Sequence, residues 1–285
     1  MILMDYSQVI LATLFVSIGN HKNIELTVDN IRSMFLTSLK FNRKKFHNEY
    51  GEMVICCDSK NSWRRDFFPY YKGNRKASRE KSELDWNELF RIMSVIREEL
   101  DESFPYKVML VDKCEADDII GVIAHKYGTP LNTGGEKVLI LSGDKDYVQL
   151  QHYANVDQYD PVGKKYVRKG SPEQYLAEQV LRGDTGDGVP NILSPDNCLV
   201  IHERQKTMTA KRLALYLGGE ANMDEITKAR YHRNRTLIDL NYTPQNLQDL
   251  IVADYEKEKP IGRSKLFNFF IEKKLKLLLT DIGDF

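Results

Sequence analysis

Four short apolar runs, "MILMD", "MVICCD", "YKVMLVD" and "KVLILSGD", each end on an acidic residue, and stretches of helical period separate them. In "DNIRSMFLTSLKFNRKKF" the apolar residues Ile31, Met34, Phe35, Leu39 and Phe41 fall mostly on one stripe. "DWNELFRIMSVIREEL" sets Trp86, Leu89, Phe90, Met93 and Ile96 at near-helical steps. Both patterns predict amphipathic helices. Strands alternating with helices predict an α/β fold whose mostly parallel central sheet is covered on both faces. Ligands of such sheets gather outside the carboxyl ends of the strands, where Asp5, Asp58, Asp112 and Asp144 are expected. From about residue 184 the pattern turns helical, with loops at "GDTGDGVPN", "LSPDN", "LGGE" and "KPIGRS". The expected division is an α/β core over 1–183 and a smaller helical region over 184–285.

Turns and helix starts hold further acids. "CEADD" precedes the helical run "IIGVIAHKY" and puts Glu115, Asp117 and Asp118 at a helix N-terminus, where the dipole favours anions. "SGDKD" adds Asp146 to Asp144, and "GDTGDG" places Asp184 and Asp187 three apart, on one face if that turn is helical. Any one of these residues alone reads as an ordinary cap or turn residue. Leaving Asp112 aside, the nine others on one rim would repel strongly unless a cation stood among them. Magnesium or manganese suits an all-oxygen set of this kind, and two such ions suit phosphodiester hydrolysis.

Lysine plus arginine total 41 and aspartate plus glutamate total 41, so the net charge is zero, but the charge is clustered. Lys60, Arg64, Arg65, Lys72, Arg75, Lys76, Arg79 and Lys81 crowd one segment with Phe67, Phe68, Tyr70 and Tyr71. Basic and aromatic residues interleaved in this way suit phosphate contacts and base stacking; the plainer reading is a solvated loop with a few aromatics in the core. Arg204, Lys206, Lys211 and Arg212 form a weaker basic scatter suited to a duplex backbone. Cys56, Cys57, Cys114 and Cys198 show neither CxxC spacing nor a disulfide rhythm, and the six histidines are scattered, which argues against zinc. No secretory leader or membrane-length run is apparent, so a soluble, cytoplasmic protein is expected.

"DYSQ", "CDSKNSWRRDFFPYYKGNR", "DKCEADD", "SGDKDYVQL" and "GDTGDGV" resemble, in order and approximate spacing, the motifs of the 5′-nuclease (flap endonuclease) family, phage-type members above all. The resemblance covers most of the chain, including "RSKLFNFFIEKKL". It implies a sheet flanked by helices, a basic arch over about 60–85, and a helix–three-turn–helix element after "GDTGDG" that grips duplex DNA. Asp5, Asp58, Glu115, Asp117 and Asp144 would then hold the first of two Mg²⁺ ions, and Asp146, Asp184 and Asp187 the second, with Mn²⁺ able to substitute; Asp118 matches a further acidic position. Arg64, Lys72 and Arg75 would clamp the scissile phosphate, with Lys76, Arg79, Lys206, Lys211 and Arg212 as further nucleic-acid contacts. Many relatives carry a "GVPGIG" type turn that holds potassium; this chain reads "GVPNILSPDNC" there.

The implied activity is 5′→3′ cleavage of RNA–DNA hybrids and of DNA duplexes or 5′ flaps, removing RNA primers during phage DNA replication, by a monomer in the host cytoplasm. Two rivals are a PIN-type single-strand ribonuclease, which would be shorter and lack the helical extension and arch, and a nuclease-inactive structural DNA-binding protein, which would have lost several of the acids. The amphipathic "KLFNFFIEKKLKLLLTDIGDF" reads first as core packing. In phage relatives that region meets a single-strand DNA-binding protein, and the resemblance implies such a replisome partner here.

Overall fold

A computed structural model of the chain describes residues 1–20, 25–128, 135–168, 170–258 and 263–285. Part of the expected "KPIGRS" loop, residues 259–262, lies outside them. The four apolar runs form strands β1 (Ile2–Asp5), β2 (Met53–Cys56), β3 (Lys107–Met109) and β4 (Val138–Leu141). Two further strands, β5 (Val156–Asp160) and β6 (Lys165–Tyr166), complete a six-stranded sheet of order β3-β2-β1-β4-β5-β6. All pairings are parallel except the β5–β6 hairpin. Sequence reading missed β5 and β6, since "VDQYD" lacks an apolar run and β6 spans two exposed residues.

Residues of β1, β2 and β4 are buried throughout, as strands covered on both faces must be. Alternate side chains feed two cores. Ile2, Met4, Ile55, Leu139 and Leu141 face one core, built with helices α1 (Tyr6–Asn20), α2 (Val28–Tyr50) and α5 (Trp86–Ser103). Leu3, Val54, Cys56, Met109, Val138 and Ile140 face the other, built with α6 (Ala116–Tyr127) and α10 (Gln245–Glu256). Helices α3 (Trp63–Phe67) and α4 (Asn74–Glu80) carry the basic segment between β2 and α5. Strand order reverses between β1 and β4, which opens a crevice at their carboxyl ends. Asp5 and Asp144 stand there.

Thr27 caps α2 by accepting from Asn30 N, and Asp85 caps α5 by accepting from Asn87 N and Glu88 N, each at the turn where apolar periodicity begins. Two residues of the expected stripes do not join the core. Phe41 is 50% exposed with the Lys164 ammonium 5.9 Å from its ring, and Phe90 stays at the surface beside Arg79. The stripe on α2 drifts instead through Leu36 and Phe46, because 3.6 residues per turn carries Phe41 off the buried side.

After β6 the described chain is helical or turn: α7 (Pro172–Arg182), α8 (Ala210–Leu217), α9 (Glu225–Ile238) and α10, then α11 (Ser264–Glu272) and α12 (Lys276–Leu279). A run of turns between Asp184 and His202 links α7 to α8. These helices do not stand apart from the sheet. Leu266, Phe269, Phe270, Leu278 and Phe285 complete the first core, and Phe285 is fully buried against Phe104 and Phe270. Lys40 and Lys44 of α2 pair with Asp281 and Asp284 beside it. Phe285→Ala should cost about 3–5 kcal/mol of unfolding free energy, to be read from urea denaturation. A loss below about 1 kcal/mol would show that the aromatic contacts are peripheral.

Candidate metal and nucleic-acid site

Each acid is placed by a local device of its own element. Asp5 ends β1, where its Oδ1 accepts from Gln8 N at 3.0 Å. Asp58 follows β2 and its Oδ1 accepts from Ala116 N at 2.9 Å, tying it to the first turn of α6. Glu115 is the N-cap of α6 and Asp117 lies one turn position further in, both beside the positive end of the helix. Asp144 caps the 3₁₀ helix Lys145–His152 by accepting from Asp146 N at 3.0 Å. Gly183 reaches a φ of +69° to release the chain from α7, and a Cβ there would stand 2.4 Å from Val189 O. The turn that follows is not helical. Asp184 Oδ1 accepts from Gly186 N at 2.7 Å and from Asp187 N at 3.2 Å, which closes a side-chain turn that leaves Asp187 beside Lys72 and Arg75.

These devices bring the acids into one electrostatic cluster. Burial, then repulsion from Asp58 and Asp144, pushes the Asp5 carboxyl up to about 7. Burial and Asp144, Asp184 and Asp187 push Asp146 up to about 8. Asp117 is raised well above the carboxylate range by burial and by Asp144 and Asp5, and Asp184 is raised by burial and Asp187. Asp117, Asp146, Asp184 and Asp187 line one narrow cleft, and Asp144, Asp146 and Asp184 an adjoining opening of about 480 Å³. Lys145, between the two aspartates of "DKD", is exposed. Asp112 is exposed as well and stands outside the cluster, with Ser59 Oγ 3.5 Å from its carboxylate.

The chain's own donors hold several of these carboxylates. Lys72 Nζ lies 2.5 Å from Glu115 Oε1 and 3.7 Å from Asp187 Oδ2, while Arg75 pairs with Asp187 Oδ1. The Tyr71 hydroxyl contacts Glu115 Oε2 and Asp187 Oδ2, each at 2.7 Å. Although desolvation works the other way on the half-buried Asp187, Lys72 and Arg75 hold its carboxyl below the usual range. The Tyr147 hydroxyl contacts Asp5 and Asp117, and Gln179 donates to Asp146 Oδ1. As it stands, no group of three His, Cys, Asp or Glu side chains among the described residues is arranged to hold a metal ion. The donor chemistry nevertheless fits one. Every donor is a hard anionic oxygen, and the burial and crowding that raise Asp5, Asp117 and Asp146 are relieved by added positive charge.

Two expected site residues take other roles. Arg64 is 2% exposed, so it cannot reach a phosphate in solvent. Its guanidinium pairs with Asp118 Oδ2 at 2.9 Å and Glu115 Oε2 at 3.3 Å, and donates to Leu237 O at 2.9 Å. Asp118 is fully buried and its oxygens are engaged by Arg64, Glu115 N, Trp63 Nε1 and Thr243 Oγ1. It is an anchor of α6 with no lone pair turned to the cleft, and not a ligand. Of the interleaved aromatics, Phe68 and Tyr71 are core residues, while Phe67 and Tyr70 remain exposed.

Lys72, Arg75, Lys76 and Arg79, with Arg65, line a cleft of about 480 Å³ whose far wall is Trp86 and Phe90. Arg79 lies over both rings, at 5.3 and 4.8 Å. Lys206, Lys211 and Arg212 are exposed on α8 and the segment before it. In "GVPNILSPDNC" the Asn191 side chain closes the turn, accepting from Leu193 N and Ser194 Oγ and donating to Lys206 O. Sequence reading missed Tyr71, Tyr147 and Gln179. The two tyrosines carried a usable signal, since each directly neighbours a charged motif residue.

Two outcomes test this electrostatic account. Asp146 is raised in the folded chain from its ordinary 3.8 to about 8, so its contribution to stability is full at low pH and is lost as pH rises toward 8. In EDTA, Asp146→Asn should therefore melt a few degrees above the wild type near pH 8, and the gap should close by about pH 4. An equal gap at both ends would contradict the raised carboxyl. Arg64→Gln should lose about 3–5 kcal/mol in urea unfolding, because it strands a buried Asp118. An unchanged stability with weakened DNA binding would return Arg64 to the phosphate.

Residues 1–180 match the family model described as the 5′-3′ exonuclease, N-terminal resolvase-like domain, and residues 170–285 the one described as T4 RNase H, C terminal. The chain is 36% identical over 295 residues to the ribonuclease H of Enterobacteria phage T4, covering 99% of this chain and 95% of that one. It is 30% identical over 155 residues to a 5′-3′ exonuclease of Buchnera aphidicola, covering 52% of this chain and 50% of the relative. Among solved structures, T5 5′-exonuclease with bound zinc superposes with a TM-score of 0.60 at 16% identity, covering 89% of this chain and 97% of that one. A bacteriophage T5 flap endonuclease complex with DNA and metal ions gives 0.60 at 17% identity, with 90% and 99% covered. With likeness running through both halves and the fold shared, the chain belongs to the 5′-3′ exonuclease family, as a nuclease of the T4 ribonuclease H type.

Proposed function

We propose that the chain is a Mg²⁺-dependent 5′→3′ nuclease that cleaves RNA–DNA hybrids and DNA duplexes or 5′ flaps, and removes RNA primers during DNA replication. The observation that carries the reading is the buried, mutually repelling carboxylate cluster lying directly beneath Lys72 and Arg75. Asp5, Asp58, Glu115, Asp117 and Asp144 would hold one ion and Asp146, Asp184 and Asp187 the other, with Mn²⁺ able to replace Mg²⁺. When bound, such a pair neutralises phosphate charge and lowers the pKa of an attacking water.

The chain's own residues supply binding and alignment. Lys72 and Arg75, once exchanged from Glu115 and Asp187 onto the substrate, point two cations at the scissile phosphate. The cleft of Arg65, Lys76, Arg79, Trp86 and Phe90 takes the single-stranded 5′ end by phosphate contact and base stacking. Lys206, Lys211 and Arg212 follow the duplex backbone from the 184–285 region. Exposed Phe267, Ile271 and Leu277 offer a surface for a single-strand DNA-binding protein. The nuclease acts as a monomer in the cytoplasm; no helix among the described residues is long and apolar enough to cross a membrane.

A 5′-labelled DNA flap and an RNA–DNA hybrid, each with Mg²⁺, Mn²⁺ or EDTA, test the reading. Wild type should cut both substrates with either ion and neither in EDTA. Asp117→Asn should lower kcat at least about a hundredfold, and Lys72→Ala by about 10²–10³ with binding largely kept. Cleavage surviving in EDTA or in Asp117→Asn would overturn the metal-dependent account.

A further inference from the structure

We infer that the Tyr147 hydroxyl is a positioning group that sets Asp5 and Asp117 for cation binding, a role that rests on the divalent-cation reading above. Tyr147 lies on the 3₁₀ helix that follows β4, fully buried, with its ring packed in the second core. Its oxygen is 3.0 Å from Asp5 Oδ2 and 2.5 Å from Asp117 Oδ1. One atom therefore joins three segments that are distant in sequence: the end of β1, the first turn of α6, and the turn after β4.

The bond pattern decides which oxygens remain for a cation. Asp5 Oδ1 accepts from Gln8 N and its Oδ2 faces Tyr147 and, at 3.4 Å, Ser142 Oγ. On Asp117 only Oδ1 is engaged, so among the described residues Oδ2 is left without a hydrogen-bond partner. Asp117 also lines the narrow cleft with Asp146, Asp184 and Asp187. The hydroxyl thus fixes the rotation of the Asp117 carboxylate and presents one oxygen to that cleft. A phenol carries a single proton and serves one acceptor at a time, so of the two acidic oxygens around it one remains under-donated until positive charge arrives. Full burial keeps Tyr147 from touching substrate, so it acts only through the carboxylates it holds. Groups that orient ligands in this way change metal affinity by about 10–100-fold when removed.

The test uses the full chain as wild type, Tyr147→Phe, Asp117→Asn and Tyr153→Phe, the last removing a hydroxyl of the same segment that contacts His125. Mn²⁺ binding without substrate is followed by electron paramagnetic resonance, alongside circular dichroism and melting in EDTA. Tyr147→Phe should stay folded, since the ring is kept, and bind Mn²⁺ about 10–100-fold more weakly, with Tyr153→Phe like the wild type. Its nuclease activity should need correspondingly more Mg²⁺ for half-saturation, at an unchanged substrate KM once metal saturates. Wild-type Mn²⁺ affinity in folded Tyr147→Phe would overturn the proposal, as would an unfolded Tyr147→Phe, which would make the hydroxyl a structural tie. Wild type binding no Mn²⁺, or Asp117→Asn binding it as the wild type does, would instead bring down the divalent-cation reading itself.

Discussion

Repulsion among carboxylates at the carboxyl rim of the sheet governs everything built around it. A parallel sheet with apolar strands delivers Asp5, Asp58 and Asp144 to the same edge, and two turns and a helix N-terminus deliver the rest. Buried like charges of this kind do not persist without compensation. The fold compensates in layers. Backbone N–H groups at caps and turns take one oxygen from several acids, and the hydroxyls of Tyr71 and Tyr147 bridge others in pairs. Lys72 and Arg75 neutralise Glu115 and Asp187. Asp5, Asp117, Asp146 and Asp184, which no lysine or arginine among the described residues neutralises in this way, keep raised pKa values, and there a cation has most to gain.

The basic segment consequently has two faces. Arg64, at its base, is spent inside the protein on Asp118, Glu115 and Leu237 O and so welds α3 to α6 and α9. Lys72 and Arg75 sit one layer out and can trade carboxylate for phosphate, an exchange of one charge-assisted hydrogen bond for another. Lys76 and Arg79 lie further out with Trp86 and Phe90. A gradient from structural to substrate-facing cations runs along fifteen or so residues, and sequence position alone does not reveal where it changes.

That difference marks what was legible in the chain. Strands β1, β2 and β4 were readable because burial on both faces demands unbroken apolar runs, and their runs, like that of β3 at the sheet edge, ended on a visible acid. The gathering of Asp5, Asp117, Asp144, Asp146, Asp184 and Asp187 followed from strand direction and motif order. Asp118 was indistinguishable from Asp117 in "EADD", since only the helical rotation of 100° between neighbours sends one to the cleft and the other to Trp63 and Thr243. Arg64 resembled Lys72 for the same reason: charge is written in the sequence and burial is not. Tyr71 read as a stacking or core aromatic and Tyr147 was not singled out, because a ring does not show in the sequence what its hydroxyl touches. The hairpin of β5 and β6 was invisible, being short, polar and exposed at its edge.

The burial of Phe285 and Phe270 beside α2 and α5 has a consequence for how the molecule is made. The apolar side of α2, from Ile31 to Phe46, meets part of its cover only through residues more than two hundred positions later. As the chain leaves the ribosome, that surface stays open through synthesis of everything between, a period of roughly ten seconds or more at ordinary elongation rates. Contacts this remote in sequence also form slowly. The carboxylate rim, whose spacing depends on the finished sheet, is therefore assembled late. Until those residues are made, the chain carries the acids but lacks part of the core against which the sheet is set.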